Sequence, residues 1–176
     1  MGFCKRYDGP MKHDQIDELQ RDWAAQRPEL DTEAMAIILR IQRLERRFSG
    51  QAAECLEDYG LAWWQYDVLS ALRRQPPPHE LPATELAAES MLTTGAMSHR
   101  INRLQLLGWL YRRHSPADGR KVLVGLTSAG RGLVDRATRA RFEVAERALS
   151  GVTARQRKQL SGLLRRCILL LDDGGR

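Results

Sequence analysis

The chain has 176 residues, 43% of them apolar, and a formal net charge of +6. That suffices for a domain with a real core, excludes a disordered chain, and leaves no apolar run near the roughly 18 residues of a membrane helix. The charge suits a polyanionic partner without proving one, because part of the excess lies between Arg131 and Arg166.

The opening MGFCKRYDGPMKHDQ lacks the apolar centre of a signal peptide, so a cytoplasmic protein is expected. Residues 1–12 read as a disordered tail, with Met11 an alternative start to Met1. Residues 13–26 place Ile16, Leu19 and Trp23 on one side of a short helix, and Arg27-Pro28 ends it. A long helix capped by Asp31 or Thr32 runs to about residue 58, with Ile37, Ile41, Leu44, Phe48, Ala52 and Cys55 as its apolar stripe. One small core cannot bury a helix of this length, so it is expected to pack on a partner too. Tyr59-Gly60 closes it. A third helix, 61–74, carries Trp64, Val68, Leu69 and Leu72, and QPPPHELP breaks it. PATELAAES then reads as a short helix with Leu86 and Ala87 inward.

Residues 93–127, TTGAMSHRINRLQLLGWLYRRHSPADGRKVLVGLT, give a helix, a Gly108 turn and two short strands around a charged loop. From Thr93 to Lys121 there are six bases, Arg100, Arg103, Arg112, Arg113, Arg120 and Lys121, and one acid, Asp118. A short helix, a turn, a longer helix and a basic hairpin outline a winged helix-turn-helix. At about 100° per residue, Met97, Ile101 and Leu104 fall inward on the reading helix. Gly95, Ser98, His99 and Asn102 fall outward, a face small and polar enough to approach bases. Arg103 borders that face. Arg100 leans toward the protein, where a long cation wants an acid or an anionic ligand. Thr93, Thr94, Ser98, His99 and Arg103 are expected DNA contacts, with Thr93 also a helix cap; Thr84 near a helix start could donate to phosphate. Lys121, Arg112 and Arg113 are phosphate contacts or simply solvated.

Thr127 or Ser128 caps a long helix to about residue 149, with Leu133, Ala137, Val144 and Ala148 as its seam. Thr153 opens the last helix, whose Leu160, Leu163, Leu164, Cys167, Ile168 and Leu171 form an apolar stripe. The first and last helices carry more apolar surface than the reading head needs, and a homodimer would bury it. The cysteines, Cys4, Cys55 and Cys167, are odd in number and include no CxxC, so no disulfide framework or zinc site is expected. Cys55 and Cys167 read as buried small hydrophobes, with redox sensing as the rival. His13, His79, His99 and His114 form no metal-ligand spacing, and no metal or cofactor is expected.

LAWWQYDVLSALRR, PATELA, TTGAMSHRINRLQLLGWLYRR and DGRKVLVGLTSAG, in that order, resemble the MarR family of bacterial winged-helix regulators. The resemblance implies a mainly α fold with a small β-wing. Residues 61–127 would be the DNA-binding region, flanked by N-terminal helices (13–60) for ligand and dimer and C-terminal dimerisation helices (128–172). It also implies that Arg120 enters a minor groove, with Asp118 ordering the loop. RDWAAQRPELDTEAM, QYDVLSALRR and GAMSHR are similar to the urate-responsive, PecS-type branch. That likeness implies Trp23, Asp67, Arg100 and Arg112 as effector residues. The branch usually has Thr-Asn where this chain has Ser98-His99, and often a second wing Arg where Gly119 stands, which bears on the operator more than on the fold.

The expectation is therefore a ligand-responsive regulator, a repressor by family habit, that binds a pseudo-palindromic duplex as a homodimer. An anionic aromatic such as urate would take Arg100 and Arg112, stack on Trp23, repel Asp67 and so move the reading helix. A phenolic or other aromatic acid, or oxidation of Cys55 or Cys167, is the alternative trigger. An enzyme is not expected, because the chain has no nucleophile elbow, no P-loop and no paired carboxylates on one face. A basic helical protein-interaction module is the remote alternative.

Overall fold

The computed structural model describes residues 13–116, 118–119 and 121–173. In chain order the described elements are α1 Gln15–Gln26, α2 Thr32–Glu57, α3 Trp63–Arg73, β1 Glu80–Pro82, α4 Ala83–Glu89, α5 Thr94–Leu106, β2 Leu110–His114, β3 Val122–Leu126, α6 Ser128–Ala148 and α7 Ala154–Asp173. The fold is thus mainly helical with a small antiparallel sheet, as the sequence predicts. The chain divides into two compact units, residues 44–142 and residues 13–43 with 143–173. Their limits fall inside α2 and α6 rather than at residues 60 and 127.

The core belongs to residues 44–142. Val68, Leu69 and Leu72 of α3, Leu86 of α4, Met97, Ile101 and Leu104 of α5, Val124 of β3 and Val134 of α6 are fully buried. At about 1.5–3 kcal/mol for each large apolar side chain taken from water, this cluster is the unit's main stabilising term. It also fixes the rotation of α5, because three of that helix's residues have no exposed surface. On α6, Val134 and Ala137 turn inward while Leu133 is only partly buried, so the seam runs slightly aside of the predicted one. Thr127 caps α6, accepting from the Gly130 amide at 3.0 Å.

The sheet order is β1-β3-β2, antiparallel throughout. The sequence does not announce β1: three residues ending in a proline carry almost no strand signal, and Pro82 is tolerated because β1 lies at an edge. Gly125 faces Glu80 on one side and Tyr111 on the other. A Cβ at Gly125 would stand 2.5 Å from Tyr111 Cζ. The bare backbone lets the Tyr111 ring cross β3 and donate its hydroxyl to Glu80 at 2.5 Å. Arg113 donates to the same carboxylate through Nε at 2.8 Å and Nη2 at 2.5 Å. Glu80 is almost wholly enclosed, its side chain 7% exposed. Hydrogen bonds from Arg113, then from Tyr111, hold its carboxyl below the usual carboxylate range against the opposing effect of burial. The two outer strands are thereby clamped across the middle one.

In the other unit, Asp14 accepts from the Ile16 and Asp17 amides at 2.9 and 3.0 Å, and Asp17 accepts from the Asp14 amide at 2.7 Å. This reciprocal capping box starts α1. Arg40 of α2 donates to both carboxylates and holds that of Asp14 below its ordinary range. Asp31, one of the two predicted caps, starts α2 by accepting from the Ala34 amide at 2.9 Å. Thr153 and Gln156 box the start of α7, and Arg157 donates to the Leu149 and Val152 carbonyls.

The apolar surface expected on these helices is open in the single chain. Ile16 is enclosed, but Leu19 and Trp23 are about half exposed, as are Ile37 and Ile38. None of α7 is buried. Cys167 is exposed and Cys55 only half-buried, not the buried hydrophobes expected. The apolar stripes exist as predicted, and much of their surface stays exposed among the described residues of the single chain. Among the described residues no helix is long and apolar enough to cross a membrane.

Candidate nucleic-acid interface

The reading helix is defined by what it buries. Thr93 caps it, its hydroxyl accepting from the Ala96 amide at 3.2 Å. Leu107 closes it, and Gly108, at φ 72°, turns the chain into β2 where a side chain would be strained. With Met97, Ile101 and Leu104 sealed in the core, Gly95, Ser98, His99 and Asn102 are exposed on the opposite face, together with Thr94 at the N-terminus. The first turn carries no acid, so the positive end of the helix is not offset locally. Thr84 is exposed in the first turn of α4, the shorter helix of the pair.

The arginines divide into separate tasks. Arg103, an expected DNA contact, lies 5.4 Å from the centre of the Trp64 ring, and Arg100 lies 5.6 Å from it. One indole of α3 thus sits against two guanidinium groups of α5, an attraction worth about 0.5–1 kcal/mol each where solvent reaches it. Arg100 is half-buried, as its helical position predicts. Among the described residues no ion pair joins it to Asp67, whose backbone carbonyl accepts from Ser70 at 3.0 Å. Arg112 runs along the flank of the reading helix, donating Nη1 to Asn102 Oδ1 at 2.6 Å and Nη2 to the Ser98 carbonyl at 3.4 Å. Arg113, its neighbour, is committed to Glu80.

The wing turn closes through Ser115 and Lys121, the Ser115 amide donating to the Lys121 carbonyl at 2.9 Å. The Lys121 amide donates to the Asp118 carbonyl at 2.9 Å, so the Asp118 backbone is part of the turn. The Asp118 amide reaches Ser115 Oγ at 3.4 Å, and His114 Nδ1 meets the Gly119 carbonyl at 2.9 Å. Lys121 is exposed beside this turn. Arg120, expected in the minor groove, lies outside the described residues.

Trp23 belongs to the other unit. It lines an open groove of about 600 Å³ with Leu19, Leu30, Met35, Ala36 and Leu39, and no cation contributes to that lining. Asp67, Arg100 and Arg112 lie in residues 44–142. Three features escape a reading of the sequence: the Arg112–Asn102 bond, Trp64 as a platform for two arginines, and the Glu80 clamp. Period-two alternation puts Arg112 and Arg113 on opposite faces of β2, but their acceptors are set by the fold. No group of three or more His, Cys, Asp and Glu residues capable of holding a metal occurs among the described residues.

A two-helix unit with one polar exposed face and an adjoining hairpin of two strands is a winged helix-turn-helix protein. The MarR family model matches residues 59–121, the stretch from just before α3 to the wing loop, ending short of β3. The HTH-type transcriptional regulator PecS of Dickeya dadantii is 26% identical over 152 residues, covering 86% of this chain and 92% of that protein. Among solved structures, AbsC, a MarR family transcriptional regulator from Streptomyces coelicolor, is similar at a TM-score of 0.69 and 19% identity, over 82% of this chain and 97% of that one. The S. aureus MepR–DNA complex is similar at a TM-score of 0.63 and 20% identity, over 73% of this chain and 93% of that one. Residues 59–121 thus match the MarR family, and the chain is similar along most of its length to a transcriptional regulator.

Proposed function

We propose that this protein is a cytoplasmic, ligand-responsive repressor that binds a pseudo-palindromic DNA duplex as a homodimer and is released by a small anionic aromatic such as urate. The observation that carries the DNA reading is α5, a helix sealed in the core on one face and exposing Ser98, His99 and Asn102 on the other. Thr93, Thr94 and Arg103 complete the helix contacts; Lys121, Arg120 and Asp118 serve in the wing, and Thr84 meets phosphate. That MepR was crystallised with DNA, and that PecS is a transcriptional regulator, support this reading. The second copy is supported by α7, whose apolar stripe has no cover of its own. In proteins most helical stability comes from packing an amphipathic face, and α7 lacks such packing within the chain.

The effector reading rests on the residues that resemble the urate-responsive branch. Arg100 and Arg112 are the cations that would meet the anion, Asp67 the acid it would repel, and Trp23 an aromatic face open to a flat ring. The test is a titration of the chain's own upstream intergenic DNA with protein, with and without saturating urate. Neutralising about 6–10 phosphates should cost roughly a thousandfold in affinity between 50 and 200 mM salt. A flat salt dependence sinks the DNA reading, and an unchanged affinity in urate sinks the effector.

A further inference from the structure

Asn102 is the exposed reading-face residue whose side chain is held by a partner outside its own helix. Arg112 Nη1 lies 2.6 Å from its Oδ1, and Nη2 reaches the Ser98 carbonyl one turn earlier at 3.4 Å. Arginine has donors only, so the amide atom facing it must be the oxygen. The orientation of Asn102 is therefore dictated by chemistry. Its oxygen is turned to the wing strand, and its NH₂ is the group left to face outward. Arg112 and Asn102 both lie in residues 44–142, one on β2 and the other on α5, whose buried face is immobilised in the core.

We propose that Arg112 fixes the hydrogen-bonding sense of Asn102, so that the reading helix offers a donor-only amide to the major groove and selects guanine over adenine at one position of each half-site. An asparagine recognises adenine by presenting oxygen and nitrogen side by side, the oxygen to N6–H and the nitrogen to N7. A planar amide tethered at its oxygen to a neighbouring strand cannot offer that edge squarely. Guanine presents two adjacent acceptors, N7 and O6, whereas adenine sets its N6–H₂ donor beside the N7 acceptor, so part of the adenine edge opposes a donor-only amide. The outward NH₂, with two donors, matches the guanine edge. Arg112 is thus a positioning residue for specificity, one that acts on the base through Asn102. This inference rests on the DNA reading proposed above and names which base edge that reading helix takes.

The test is selection from randomised duplexes by the full-length protein, by Asn102→Asp and by Arg112→Met. The unaltered protein should recover duplexes with guanine at one half-site position and disfavour adenine there by about fivefold or more. Arg112→Met frees the amide oxygen, so it should raise adenine to parity at that position and leave the others unchanged. Asn102→Asp keeps an oxygen for Arg112 but turns the outward donor into an acceptor, so cytosine, with its N4–H₂ donor, should replace guanine. Should either variant fail to fold, 7-deazaguanine placed at that position should weaken binding by the unaltered protein about fivefold. An unchanged profile for both variants, adenine selected by the unaltered protein at the Asn102-sensitive position, or indifference to the modified base overturns the inference while leaving DNA binding intact. Recovery of no duplex by the unaltered protein overturns the DNA reading itself, and this inference with it.

Discussion

Replacing Glu80 with glutamine probes the clamp that holds the wing strands together. The carboxylate accepts three hydrogen bonds, from Tyr111, Arg113 Nε and Arg113 Nη2. A glutamine of the same shape has one oxygen and one NH₂. Placed with nitrogen toward Nη2 it sets donor against donor; flipped, it does so against Nε, and the Tyr111 hydroxyl must turn from donor to acceptor. Hydrogen bonds to charged groups contribute about 1.5–3 kcal/mol, and the Arg113 side chain is 40% exposed, so water offsets part of the loss. The expected cost of Glu80→Gln is about 2 kcal/mol at neutral pH. At this chain length that corresponds to a melting temperature lower by roughly 4–8 °C. The pH dependence follows from the direction of the Glu80 shift. Its folded-state pKa is depressed, so the unfolded chain binds the proton first as pH falls. The stabilisation is complete above the unfolded carboxyl's pKa of about 4.3 and is lost as pH drops through the lower folded value. Urea unfolding of both proteins at pH 7 and in steps down through the acid range should show the gap between them closing at low pH. Equal midpoints at pH 7, or a gap that persists undiminished in acid, would refute the reasoning.

Gly125→Ala should destabilise by about 1–3 kcal/mol, because the new methyl must displace Tyr111 or Glu80. Combined with Glu80→Gln its cost should be less than additive in urea unfolding, since both substitutions disturb one network. Trp64→Leu keeps apolar bulk but removes the ring beside Arg100 and Arg103. It should lower stability by about 1–2 kcal/mol from the two lost cation–π contacts, read by the same unfolding assay.

Much of the reading helix is legible in the sequence because two independent signals coincide there. Its apolar residues fall at helical spacing, and the face they leave is small and polar, so Met97, Ile101 and Leu104 point into the core as predicted. Gly108 and the turn residues around Asp118 mark the ends of the strands. What the sequence hides depends on long-range partners. Glu80 is one acid in a proline-rich stretch, and only the sheet order brings it within reach of Tyr111 and Arg113, some thirty residues on. What covers the apolar surface of α7 and of the Leu19–Trp23 face is hidden for a different physical reason. Periodicity reports that a stripe is apolar, not which molecule covers it, and α7 has no buried residue within its own chain.

The neighbouring arginines of β2 show how one strand can tie a reading helix to its support. Successive side chains of a strand point to opposite faces. Arg113 turns to Glu80 and fastens the sheet; Arg112 turns to α5 and holds Asn102 and the Ser98 carbonyl. If Arg112 is also the effector contact proposed above, an anion can take it only by competing with those two acceptors. A ligand shifts such an equilibrium by no more than its difference in affinity between the two arrangements. Couplings of this kind are typically about 1–3 kcal/mol, within reach of exchanging one amide oxygen for a charged acceptor. The same exchange would release the Asn102 amide while the buried face of α5 stays fixed. Effector binding would then change what the helix reads as well as how firmly it holds, and Arg112→Met should lose the urate response and the adenine discrimination together.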